Sequence, residues 1–295
     1  MVLYTKQGRE DILKETNLKA FAKINLGLDI VGVRPDGYHL VKMVMETIPL
    51  YDRVKIKVSG QSEVRVKTNL GYLPTDKKNI AYQAARLLLD EFGIRQGVDI
   101  QLEKRIPVAA GLAGGSTNAA AVLKGMNQLF QLGLTEEELM ERGLKLGADV
   151  PYCIKGGCAL ATGIGEVLSP LPSLPKCSIL LLKLPFSIST RVAYQEFDQL
   201  EKVEHPPIDE LIRGLEKQSL EKIAQSMGNV LELVSIPKYP KIQMAKEELV
   251  KQGAMVSLMS GSGPTVFGLF ENRDEAVFAK RKIEGLPFKK QMYLV

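Results

Sequence analysis

Tryptophan is absent from the 295-residue chain, histidine occurs twice (His39, His205) and cysteine three times (Cys153, Cys158, Cys177). So few histidines, with no Cys-x-x-Cys spacing, leave no protein metal cluster to expect. An odd and sparse cysteine count suits buried thiols in a reducing compartment rather than a disulfide framework. No apolar run approaches the roughly 18 residues a membrane-spanning helix needs. The opening Met1-Val-Leu-Tyr-Thr-Lys has no apolar core of the kind a secretory leader carries. The expected setting is therefore cytoplasmic, with no membrane partner. Low-complexity tracts and internal repeats are also missing.

What is present is ordinary for a globular protein: 45% hydrophobic and 25% charged residues, enough for a substantial core without staples. The length suits two domains. The net charge of +5, from 39 basic and 34 acidic residues, reads first as a solvated surface, because net charge locates no site.

Over residues 20–30, Ala20, Ala22, Ile24, Leu26, Leu28 and Ile30 alternate, which predicts a strand with Lys23 and Asn25 sharing its opposite face. Arg34-Pro-Asp-Gly37 reads as a turn. Val54, Ile56 and Val58 alternate with Lys55 and Lys57, suggesting a lysine-protected strand near a sheet edge. Residues 79–92 have helical spacing, and Val98, Ile100 and Leu102 form a strand leading to Pro107. A helix follows through Ala119, Val122, Leu123 and Met126. Thr135 and Glu138 make a capping box for the next one, with Leu134 and Leu139 as its staple. Gly147 is placed to end that helix in the left-handed conformation, and Pro151 to hold Val150 extended. Prolines at 170, 172 and 175 mark a boundary region, and the expected domains are 1–168 and 169–295. Beyond it, with the middle helices collapsed, the order is β-α-β-β-α-β, the ferredoxin-like order.

The chemistry concentrates in one loop: Pro107, Val108, Ala109, Ala110, Gly111, Leu112, Ala113, Gly114, Gly115, Ser116 and Thr117. It lies between a strand and a helix, where glycines let backbone N–H groups turn onto an anion and the helix N-terminus adds partial positive charge. Ser116 or Thr117 can offer a hydroxyl to a phosphate or to Mg²⁺. It is neither a Walker A loop nor Gly-x-Gly-x-x-Gly. A flexible turn before a helix is the plainer alternative, and a phosphate site the favoured one. A second turn, Ser260-Gly-Ser-Gly-Pro264, reads alone as a hairpin.

Ala22-Lys-Ile-Asn-Leu26, the 107–117 loop and Ser260-Gly-Ser-Gly-Pro264, in that order, resemble the three motifs of the GHMP kinases. Arg34-Pro-Asp-Gly-Tyr-His39 and Gly147-Ala-Asp-Val-Pro151 are similar to the branch that acts on a cytidyl diphosphate sugar alcohol. The resemblance runs from about residue 18 to the C-terminus. It implies an α+β fold of two domains: an N-terminal ATP-binding one like the second domain of ribosomal protein S5, and a ferredoxin-like C-terminal one. It implies ATP with Mg²⁺, and phosphorylation of the 2-hydroxyl of 4-diphosphocytidyl-2-C-methyl-D-erythritol in non-mevalonate isoprenoid precursor synthesis. Asp149 and Lys23 match the family's catalytic pair. Asn25, Tyr38, His39, Thr190, Tyr194, Gly261, Ser262 and Gly263 match substrate positions, and Asn79 and Lys104 nucleotide positions. Ala110 and Ala113 stand where the family often has glycine, and Thr117 where it often has serine. Alanine keeps the loop tight if φ stays negative there. A monomer or weak homodimer is expected, without nucleic acid. Two other readings stay open at this point: a homoserine- or mevalonate-type kinase, and an S5-like RNA-binding module, which would call for a basic stripe with interleaved aromatics.

Overall fold

The computed structural model describes residues 14–295; the opening segment 1–6, read above for a leader, lies outside them. The elements run β1 (Glu15–Val33), β2 (His39–Ser59), β3 (Val64–Thr68), α1 (Ile80–Glu91), β4 (Gly97–Glu103), α2 (Gly114–Leu129), α3 (Glu136–Leu144), α4 (Val150–Lys155), β5 (Cys158–Thr162) and β6 (Val167–Leu171). Then come β7 (Ser178–Lys183), α5 (Thr190–Phe197), α6 (Ile208–Glu216), α7 (Leu220–Ser226), β8 (Gly228–Asn229), α8 (Glu232–Lys238), α9 (Lys241–Lys251), β9 (Val256–Met259), β10 (Thr265–Phe270), α10 (Arg273–Glu284) and β11 (Gln291–Leu294).

Two sheets organise them among the described residues. The first has the order β3-β4-β2-β1-β8, with β5 pairing β2 and β6 pairing β5. The second has the order β11-β7-β10-β9, antiparallel throughout. Its strands keep the chain order β-α-β-β-α-β, so the ferredoxin-like expectation holds. The first sheet extends through Leu171, because β6 pairs residue by residue with β5. A division at 168/169 would cut that strand, and the chain changes sheets over 172–177.

Helix α1 forms because Asn79 caps it, accepting from the Ala81 N–H, and because Ala81, Ala84, Ala85, Leu88 and Leu89 make one buried stripe. The Thr135–Glu138 capping box starts α3. Gly147 does not end α3: that helix closes at Lys145 in right-handed geometry, and Gly147 lies beyond it. The lysines of β2 do not mark an edge. β2 is flanked by β1 and β4, and the edge strand is β3. Val54 and Ile56 face the helices while Arg53 and Lys57 face solvent, so the alternation records an open sheet face.

One apolar cluster joins Leu28, Val41 and Met43 of the first sheet to Leu180, Leu182 and Val266 of the second. Another joins Ala22, Ile24 and Leu26 to Leu181 and Phe267. The two sheets thus share continuous cores, which restrains relative motion more than a wet, polar contact would.

Candidate active site

The 107–117 segment turns sharply between β4 and α2. Gly111 has φ 74°, and an added Cβ there would sit 2.1 Å from the Ser260 carbonyl oxygen, so only glycine fits. Ala109 (φ 49°) and Ala113 (φ 55°) are also left-handed. The condition that φ stay negative is therefore not met at Ala113: it is the N-cap of α2 and has to bend the chain into the helix. No side chain caps this helix, so its first-turn N–H groups remain for a ligand, at the positive end of the macrodipole. They border a cavity of about 390 Å³ lined by Asn79, Lys104, Pro107, Val108, Ala109, Ala110, Ala113, Gly114, Gly115 and Ser116.

Three residues assigned to that cavity are engaged elsewhere in the fold. Thr117 is buried and its hydroxyl donates to the Phe21 carbonyl at 2.7 Å, so Ser116 alone offers a free hydroxyl. Leu112 is a core residue whose carbonyl accepts from the Lys23 N–H at 3.3 Å. Lys104 lines the cavity, but its ammonium is used by Asp52, by the Gly114 carbonyl at 3.0 Å and by Asn118 Oδ1 at 2.7 Å. Burial pushes the Lys104 pKa down while Asp52 opposes that. Asp52, fully buried, also accepts the N–H groups of Arg105 (2.6 Å) and Ile106 (2.8 Å). It is the anchor of the loop's entry, and sequence reading missed it. Asn79 is likewise occupied, capping α1 and donating to the Pro74 carbonyl at 2.7 Å.

Lys23 lies on β1 between register shifts at Phe21/Ala22 and Asn25/Gly27, irregularities of the kind that re-aim a side chain. Its ammonium is buried, donates to Asn25 Oδ1 at 2.7 Å and lies 3.9 Å from Asp149 Oδ2. Asn25 is fully buried and stands behind Lys23 as its orienter, its amide reaching the Met43 sulfur at 3.5 Å. Asp149 is the N-cap residue of α4 with φ −79°, and its carboxylate makes no capping bond. It is therefore held by backbone while its side chain, 38% exposed, stays available. The expectation of an extended Val150 fails. Val150 starts α4 with Pro151 in the first turn, where proline needs no N–H partner, and its side chain is completely buried.

Both residues line a larger cavity of about 720 Å³, together with Tyr38, His39, Gly111, Ser116, Thr190, Tyr194, Gly261 and Ser262. Ser116 borders both cavities, so they meet at the helix N-terminus. Tyr38 is exposed at the rim. The His39 ring packs on Tyr194 with centroids 4.8 Å apart, and its Nε2 donates to Asp198 Oδ1 at 2.7 Å. Burial and the nearby Asp149 carboxylate push the Tyr194 phenol up. Thr190 and Ser262 hydroxyls are 2.9 Å apart. Gly263 does not reach the cavity wall; it shapes the second glycine turn (φ 82°), which is more than a hairpin tip. Ser260 Oγ donates to the Gly111 carbonyl at 2.9 Å, and Asn229 donates to the Met259 and Gly261 carbonyls at 2.8 Å each. Asn229 sits on β8, which pairs with β1 of the first sheet. Neither Asn229 nor Asp198 carries a sequence signal beyond being polar.

Comparison with known proteins agrees with this geometry. Residues 79–157 match the model of the GHMP kinases N terminal domain, and residues 202–287 that of the GHMP kinases C terminal. The chain is 50% identical over 278 residues to the 4-diphosphocytidyl-2-C-methyl-D-erythritol kinase of Lachnoclostridium phytofermentans, covering 94% of this chain and 96% of that one. It is 52% identical over 257 residues to the enzyme of the same name from Geobacillus kaustophilus, covering 87% and 88%. A crystal structure of 4-(cytidine 5'-diphospho)-2C-methyl-D-erythritol kinase superposes with TM-score 0.80 at 30% identity, covering 95% of this chain and 98% of that one. A homoserine kinase from Cytophaga hutchinsonii shares the fold alone, with TM-score 0.76 at 21% identity over 99% and 96% of the two chains. With a helix N-terminus open to phosphate, an adjoining lysine–aspartate pair and half the sequence shared over nearly the full length, the chain belongs to the 4-diphosphocytidyl-2-C-methyl-D-erythritol kinase family of the GHMP kinases.

Proposed function

We propose that this protein transfers the γ-phosphoryl group of ATP to the 2-hydroxyl of 4-diphosphocytidyl-2-C-methyl-D-erythritol, in the non-mevalonate route to isoprenoid precursors. The observation that carries the reading is the Lys23–Asp149 pair beside Ser116, where the two cavities meet. ATP would fill the smaller cavity, with its phosphates on the N–H groups of α2, and the cytidyl substrate the larger one. Phosphoryl transfer needs positioning and charge neutralisation more than covalent chemistry. Asp149 orients the acceptor hydroxyl and accepts its proton. Lys23, fixed by Asn25, stabilises charge gathering on the transferring oxygens.

Tyr38 and Tyr194 offer aromatic faces to the cytosine base. His39 Nε2 carries a proton because its partner Asp198 is an acceptor, which fixes the ring for recognition of the base edge. Thr190 and the 260–264 turn face the sugar-alcohol side.

Among the described residues no group of three or more His, Cys, Asp or Glu is assembled for a metal. The Ser116 hydroxyl is an oxygen donor of the kind Mg²⁺ takes, and that ion keeps several waters and is held largely by substrate phosphates. Ser116 is the residue that would complete its coordination, and the ion would neutralise phosphate charge.

The reading is tested by ADP release against a panel of the cytidyl substrate, mevalonate and homoserine. Turnover confined to the cytidyl substrate supports it; preference for either of the others contradicts it.

A further inference from the structure

Behind the catalytic helix lies a second concentration of positive charge. A cavity of about 300 Å³ is walled by β1, α2 and α4, and among the described residues it is lined by Lys19, Lys124 and Lys155 but by no aspartate or glutamate. Lys124 is half-buried, and burial pushes its pKa down while the Glu136 carboxylate opposes that. Its ammonium donates to the Ile154 carbonyl, which uses one of three donors and neutralises none of the charge. Lys155 meets a carboxylate, Glu136, only at 4.0 Å. Lys19 rests over the Tyr51 ring, 4.9 Å from its centroid.

The hydroxyl donors around this cavity are already spent. Tyr152 donates to the Gly157 carbonyl at 2.6 Å, Thr47 pairs with the Tyr152 oxygen at 3.1 Å, and Thr117 donates to Phe21. What the cavity can recognise is therefore charge. Glu136 is shared between Lys124 and Lys155, so one carboxylate faces three ammoniums, and an anion bound among them reduces their mutual repulsion and the cost of the partly buried Lys124. The volume is at the lower end for small-molecule sites and suits a compact anion rather than a nucleotide.

We propose that this cavity binds a small phosphate-bearing anion, diphosphate more tightly than orthophosphate, with Lys124 as the anchoring cation. Thr117 and Cys153 form part of its wall. Thr117 directly follows Ser116 on α2, and Cys153 lies one turn after Asp149 on α4, so a bound anion braces both helices.

The test is calorimetric titration of inorganic diphosphate, and in parallel orthophosphate, into full-length protein saturated with ADP, which occupies the phosphate loop. The expected result is one saturable site, weakened at least about tenfold in Lys124→Met, restored in Lys124→Arg and weakened in Lys155→Met. Thermal melting checks that each variant folds; if Lys124→Met does not, Lys155→Met and Lys19→Met carry the comparison. No saturable binding, equal affinity in the lysine variants, or binding that disappears when ADP is present would overturn the proposal.

Discussion

The Lys23 ammonium stands 3.9 Å from the Asp149 carboxylate, although one belongs to the middle of a buried strand and the other to the N-cap of a short helix. The approach depends on packing on both sides. Asn25 and the Leu112 carbonyl fix Lys23, and the buried Val150 holds Asp149 at the helix start. Ser260 then ties the second glycine turn onto the first, and Asn229 ties that second turn to β8 beside β1, closing the cavity from the other sheet.

Tyr38 sits at the rim of the larger cavity and away from the phosphate loop. Tyr38→Ala should raise the KM for the cytidyl substrate by about tenfold, since stacking on a base contributes roughly 1–3 kcal/mol, and leave the KM for ATP unchanged. Steady-state kinetics with each substrate varied in turn checks this; a selective loss of ATP affinity would move Tyr38 to the other side of the cleft.

Asp52 should matter for stability. Asp52→Ala leaves Lys104 buried without its counter-charge and frees the N–H groups of Arg105 and Ile106. The expected loss is about 3–5 kcal/mol, the range for breaking a buried pair from one side. Urea unfolding measures it, and a loss below about 1 kcal/mol would mean the network is not integral to the fold.

Ala113 at φ 55° carries a left-handed penalty that glycine avoids. Ala113→Gly should raise unfolding free energy by up to about 1 kcal/mol, the relief of strain exceeding the added freedom of the unfolded chain. A denaturant midpoint lower than the parent's would contradict this.

Glu46 gives a pH-dependent test. Burial raises its pKa above the ordinary carboxylate range, against hydrogen bonds from Cys158 and the Leu174 N–H. A raised folded pKa means that the native state holds the proton more tightly, so stability is present below the unfolded pKa and is lost as pH rises through the folded one. Glu46→Gln removes that loss. Its effect on unfolding free energy should become more favourable from about pH 4 to about pH 8; a pH-independent difference would contradict the assignment.

Much of the fold was legible where a local pattern and the tertiary environment agree. The helix at 79–92 is bounded by the two caps of α1, and the 265–270 strand coincides with β10. Legibility failed where packing overrode local preference. Val150 enters a helix before proline because its side chain fills the core. Lys55 and Lys57 mark an open face because the strands beside β2 are invisible in its own alternation. β8 is two residues long and has no pattern to detect. In the site, Lys23 and Asp149 could be named only through motif resemblance, since a strand lysine and a turn aspartate are individually unremarkable. Asp52, Asp198 and Asn229 act through long-range contacts that no spacing encodes.

In the proposed mechanism the transfer depends on Asp149. The most direct measurement is the single-turnover rate of phosphoryl transfer to the cytidyl substrate in Asp149→Asn, with ATP binding and thermal melting followed on the same sample. The account predicts a rate lower by about a hundredfold to ten-thousandfold, with nucleotide affinity and melting close to the parent's. A near-normal rate would contradict the role of Asp149 as the proton acceptor.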